Sequence, residues 1–143
     1  MEGRDARTAW RRVALVAGVL LLSNALPAKR RDPPQPPPYG IDKVLHAVGH
    51  AALAVALRDA LERTDRSPIT SVVFAPSAVA TLLSTLYGLV LELLQRRIPG
   101  RRYESGDVLA GAVGSALGVG VRASRAAVAT DDGTEIPTGD ATT

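Results

Sequence analysis

Asp42, His46 and His50 follow one another at four-residue intervals. In an α-helix that interval keeps three side chains on one face, with a drift of about 40° per step. Further along, Glu92 and Gln95 share a helix face through a three-residue interval, and Arg101 and Asp107 follow after Pro99 and Gly100. A histidine beside a carboxylate can act as a general acid or base whose strength is adjusted by burial. Arg101, with Lys43 nearby, offers charge-assisted hydrogen bonds to a phosphate or carboxylate. His46, His50, Glu92 and Asp107 are metal-ligand types, but their spacing matches no recognised metal motif, and neither a metal nor a cofactor is assigned. The candidates for catalysis are His46, Glu92 and Asp107. Asp42, Lys43, Gln95 and Arg101 are the candidate binding residues. His50, one turn deeper, reads as a hydrogen-bonded packing residue.

The elements that must position these residues are apolar blocks. Of the 143 residues 46% are hydrophobic, and they are gathered in runs with the charges between them. A soluble domain would spread them along amphipathic faces instead. The fold class expected is all-α, an antiparallel bundle of four transmembrane helices over residues 13–28, 41–61, 69–95 and 107–122. These form one membrane domain, residues 1–130. Because such helices alternate in direction, the start of the second, the end of the third and the start of the fourth lie on one membrane face. His46 and Glu92 each lie about one turn inside that face, with Arg101 and Asp107 nearer its surface. Ionisable groups at that depth are costly and have either a task or a partner, so the cluster reads equally as a functional site and as ion pairs that fix helix packing.

The connecting segments carry readings of their own. Trp10, among Arg4, Arg7, Arg11 and Arg12, is placed like an interfacial anchor. The short first apolar block has a rival reading as a secretory signal peptide, with Arg11 and Arg12 before it and Ser23, Asn24 and Ala25 as a small-residue cleavage site. The proline-rich linker, residues 29–40, is extended and semi-rigid, either a spacer or a ligand for an SH3-type domain. The mixed charges of residues 58–66 read as a solvated loop. Pro76, about two turns into the third block, is expected to kink it. Ala110, Gly114 and Gly118 fall at four-residue spacing with Gly111 beside them, a stripe that lets helices approach closely in lipid. Residues 131–143 read as a disordered acidic tail.

Composition excludes some chemistry. With no cysteine, the chain has no disulfide, thiolate metal site or thiol nucleophile. The formal charge of +3 understates a basic body, because the tail is acidic. The arginines flank apolar blocks, which assigns them to a lipid bilayer and not to nucleic acid. Lysine and arginine divide almost evenly between the two faces. The basic N-terminus then decides for a multi-pass protein of the cell membrane, with N- and C-termini cytoplasmic and the polar cluster facing outward.

In order and spacing these residues resemble the VanZ-like family of small membrane proteins. The resemblance rests on Asp42-Lys43-Val44-Leu45-His46 opening a helix, on Tyr87 and Glu92-Leu93-Leu94-Gln95, and on Pro99-Gly100-Arg101. It continues in Tyr103-Glu104-Ser105-Gly106-Asp107-Val108-Leu109-Ala110, followed by Gly114 and Gly118. It covers roughly residues 41–118. One departure stands out, because the family usually has asparagine where this chain has Gly111. The resemblance implies a multi-pass protein of the cell envelope. The family's namesake is associated with low-level resistance to the glycopeptide teicoplanin by a mechanism that is not established. The expected function is therefore an outward-facing polar site that binds or modifies an anionic lipid or glycan headgroup, or a glycopeptide-related one. The alternatives are a non-catalytic membrane scaffold or partner subunit, and, less well supported, a small transporter or channel. The oligomeric state is left open.

Overall fold

The start of the second helix is set by Gly40. Its φ of 104° lies in the region that favours glycine, and its carbonyl accepts the Val44 N–H at 2.9 Å. In the computed structural model, which describes residues 2–25, 40–64, 75–98 and 103–131, the described residues form α1 (Glu2–Ala25), α2 (Ile41–Thr64), α3 (Pro76–Gln95) and α4 (Ser105–Asp131). No strand is present among them. Asp42 and Asp107 lie in the first turns of α2 and α4, where a negative charge complements the helix dipole.

The structure moves several boundaries. α1 starts at Glu2, not at residue 13, because alanine and arginine sustain a helix through the charged segment ahead of the apolar block. Trp10 there donates from Nε1 to Thr64 Oγ1 at 3.0 Å, linking the start of α1 to the end of α2. α2 continues to Thr64, so the described part of residues 58–66 is helical and not a loop. Arg58 pairs with Glu62 one turn on at 2.7 Å, and Asp59 pairs with Arg122 of α4 at 3.4 Å. α3 begins at Pro76 in place of being kinked there. Ala75, at ψ 132°, is extended, as the residue before proline prefers. At the first helical position the missing proline N–H costs no hydrogen bond. α4 starts two residues before position 107 and runs on to Asp131 through the alanine- and arginine-containing segment after Val121. Residues 26–28 and 69–74 of the expected helices lie outside the described residues, as do the linker up to Gly40 and the tail beyond Asp131.

α2 is the central helix, packed against α1, α3 and α4, and its closest neighbour is α4. Along that seam Gly114 lies against the backbone of Ala47 and Gly118 against Ala51. The buried apolar core comprises Leu20, Leu53, Ala54, Leu57, Ala80, Leu91 and Val119. Tyr87 of α3 donates its hydroxyl to the Ala17 carbonyl of α1 at 2.7 Å. Many larger apolar side chains point the other way, with Leu15, Leu22, Leu45, Leu109 and Leu117 all exposed. A bundle that buries histidine, glutamate, glutamine and serine beside its apolar core while exposing many leucines departs from the usual arrangement in water. By length and composition, α2 and α3 are long and apolar enough to cross a membrane.

Candidate functional site

The first turns of α2 and α4 and the last turn of α3 lie at one end of the bundle, and their packing brings His46, Glu92 and Asp107 together. The His46 ring is oriented by its own helix, with Nδ1 3.0 Å from the Asp42 carbonyl. A carbonyl only accepts, so Nδ1 carries a proton, and Nε2 presents a lone pair when the ring is neutral and an N–H when it is charged. Nε2 is directed at two carboxylates, Glu92 Oε1 at 3.6 Å and Asp107 Oδ2 at 3.9 Å. Both Nε2 and Glu92 Oε1 are buried and have no hydrogen-bond partner among the described residues.

The other oxygens of these carboxylates are held. Glu92, only 2% exposed, accepts the Glu104 backbone N–H on Oε2 at 3.2 Å. Asp107, 9% exposed, accepts the Lys43 ammonium on Oδ1 at 3.1 Å. Lys43 also contacts Glu104 Oε2 at 3.2 Å and Asp42 Oδ2 at 3.4 Å. Its charge is thus shared among three carboxylates. Asp42, Glu92, Glu104 and Asp107 outnumber it, and the centre is acidic among the described residues. A cation or a proton fits between Nε2, Oε1 and Oδ2 better than an anion does.

The remaining sequence candidates separate. Asp42 sits at the rim beside Lys43. Gln95 is buried but turns toward α1, where its amide donates to Asn24 Oδ1, while Asn24 Nδ2 donates to the Leu20 carbonyl at 2.7 Å. Arg101 lies outside the described residues. His50 is buried one turn below His46 in a polar bridge of its own. Its Nδ1 is 3.2 Å from Ser84 Oγ, and Ser84 Oγ is 2.9 Å from Ser115 Oγ. Ser84 also reaches the His50 carbonyl at 3.1 Å, and Ser115 donates to the Gly111 carbonyl at 2.8 Å.

Sequence reasoning assigned no site role to Glu104, Asn24, Ser84 or Ser115. Glu104 carried a signal, since it precedes Asp107 by three residues and so shares its side of the helix start. Ser84 and Ser115 were visible only as small polar residues in apolar helices, a pattern that marks interhelical hydrogen bonding without saying which helix answers.

Two further features lie at this end of the bundle. Arg96 stacks over the Tyr103 ring, 4.4 Å from its centroid. A cleft of about 250 Å³ opens between α1 and α3, walled by Leu21, Ala25, Leu91, Leu94 and Ile98, with Asn24 and Arg97 as its polar lining. Comparisons with protein-family models, curated proteins and solved structures found no match to this chain.

Proposed function

We propose that this chain is a multi-pass membrane protein of the VanZ-like type that binds or modifies an anionic lipid or glycan headgroup at the outer face of the cell membrane. The observation that carries this reading is the buried Nε2 of His46 facing Glu92 Oε1, both without a hydrogen-bond partner among the described residues, at one end of an apolar-surfaced bundle. A group of that kind takes up or releases a proton from a bound hydroxyl or phosphate, and the two carboxylates stabilise the imidazolium that results. Lys43, neutralised by three carboxylates, positions Asp107 and does not hold the headgroup. The neighbouring cleft suits an acyl or isoprenoid chain, with Arg97 at its polar lining to meet an anionic head. The leucine-covered exterior and the two span-length helices support the membrane setting.

The experiment is an envelope-lipid profile of cells producing wild type, His46→Ala or Asp107→Asn at equal protein level. The wild type is expected to alter the headgroup population, and each variant is expected to abolish that change. Full activity in both variants overturns the proposal. The buried His50–Ser84–Ser115 bridge favours a second reading, a non-catalytic scaffold, which predicts a large stability loss in Asp107→Asn with envelope lipids unchanged. Orientation is read from a single cysteine at the exposed Ser105, since the chain has none of its own. Labelling by an impermeant reagent from outside is expected, and labelling only from inside reverses the topology.

A further inference from the structure

We infer that His46, Glu92 and Asp107 form a binding site for a divalent transition-metal ion of the zinc class. The three ligand atoms are Nε2 of His46, Oε1 of Glu92 and Oδ2 of Asp107. All three lie within 4.8 Å of one another. The inference deepens the functional reading by placing a metal ion at the same site, where it would take the position of the proton on Nε2 and leave proton transfer to a water or headgroup oxygen bound to the metal. It rests on that reading only for the metal's role, because the ligand geometry stands alone.

Three observations converge on it. The first is chemical. Nε2 is the acceptor face of a ring whose Nδ1 proton is committed to the Asp42 carbonyl. It meets two carboxylate oxygens, so with the ring neutral three acceptors converge with no donor between them among the described residues, and two of these atoms are buried without a hydrogen bond. Such groups are expensive to leave unsatisfied, and a cation satisfies all three at once.

The second is metric. A protonated His46 hydrogen-bonded to a carboxylate would close to about 2.7–2.9 Å. The observed separations are 3.6 and 3.9 Å. Ligands held tetrahedrally at about 2.0–2.2 Å from one zinc ion lie about 3.3–3.6 Å apart. The first separation meets that value, and the second needs a shift of a few tenths of an ångström.

The third is the outer shell. Every ligand has its other polar atom tied off: His46 Nδ1–H by a backbone carbonyl, Glu92 Oε2 by the Glu104 N–H, and Asp107 Oδ1 by Lys43. Carbonyl-oriented histidine and hydrogen-bonded carboxylate are the usual supports of metal ligands, and here they turn the free atoms toward one point. The adjacent acidic group of Asp42, Glu104 and Asp107 differs, because the Lys43 ammonium already lies among its oxygens. Two carboxylates neutralise a divalent charge. One nitrogen and two oxygens leave a fourth position for water or a headgroup oxygen, as in catalytic zinc sites.

The test uses purified full-length protein in detergent or nanodiscs, loaded with Zn²⁺, dialysed and assayed for bound metal. Wild type is expected to retain one equivalent. His46→Ala and Glu92→Gln are expected to lose it, and Glu62→Gln at the opposite end of the bundle to keep it. Wild type loaded with Co²⁺ should show the intense visible bands of a low-coordinate site with nitrogen and oxygen ligands, a readout that does not depend on any variant folding. Wild type that holds no zinc and shows no such bands, or ligand variants that retain the metal, overturn the inference. The outcomes separate from those of the functional proposal. Bound zinc with unchanged envelope lipids removes the headgroup reading alone, and altered lipids with no bound zinc remove the metal alone.

Discussion

Replacing Gly114 with alanine is expected to lower the stability of the bundle by about 3 kcal/mol, the upper end of what overpacking a close interface costs. A Cβ at this position would overlap the Ala47 carbonyl oxygen and come within 2.6 Å of both Ala47 C and Cα. The colliding atoms are helix backbone, so no rotamer change relieves them and α2 and α4 must separate. His46 and Asp107 are carried by those same two helices, so the polar centre is expected to open along with the seam. Gly120 is the control. Nothing lies within 4 Å of a Cβ built there, and alanine should be neutral or add up to about 1 kcal/mol through helix propensity. Thermal unfolding of the two variants in one detergent gives the comparison. Equal midpoints would show that α2 and α4 are not in backbone contact at Gly114.

That seam also shows which parts of the structure the sequence could convey. The four-residue spacing of Ala110, Gly114 and Gly118 announces a close helix contact, and two of its members meet α2. Periodicity names the face of a helix but not its partner, so Ala47 and Ala51 had no signal. The end of the bundle shared by His46, Glu92 and Asp107 followed from the alternation of apolar blocks, because successive helices read as crossing a bilayer reverse direction. Helix ends were less legible. Where the apolar run stops, the helix need not, because backbone hydrogen bonding depends on propensity and capping and not on hydropathy. α1 therefore starts among the N-terminal arginines, and α4 continues past Arg122. Pro76 misled for a related reason. The same residue kinks a helix from within or opens one, and only the extended backbone of Ala75 distinguishes the two. Inside the site, residue types gave the chemistry, but hydrogen bonds decided the roles. Lys43, a candidate ligand for anions, lies within 3.1–3.4 Å of three carboxylates. Gln95, one turn from Glu92, bonds to α1 in place of the cluster.

Glycine at position 111 has a physical reason in His50. The imidazole is inserted between two glycines on different helices. A Cβ at Gly88 would lie 2.8 Å from His50 Cε1, and one at Gly111 would lie 2.9 Å from His50 Cδ2. The ring occupies the volume that a side chain at 111 would need, and it binds Ser84 while doing so. Gly111→Asn is therefore expected to destabilise the protein by about 1–3 kcal/mol. His50→Ala is expected to cost about 3 kcal/mol, as large-to-small changes in a packed core do. Ser84 and Ser115 keep backbone carbonyl acceptors when the ring is gone, so the loss is mainly one of packing. The double variant should lose less than the sum of the two, because the asparagine enters the space the ring vacates. A coupling of about 1–3 kcal/mol between the sites is the expected reading of the double-mutant cycle. Strict additivity would mean that the ring and position 111 do not compete for the same space. A recovered double variant in which the His46–Glu92–Asp107 cluster still shows the proposed activity would separate this packing bridge from the candidate site one turn above it.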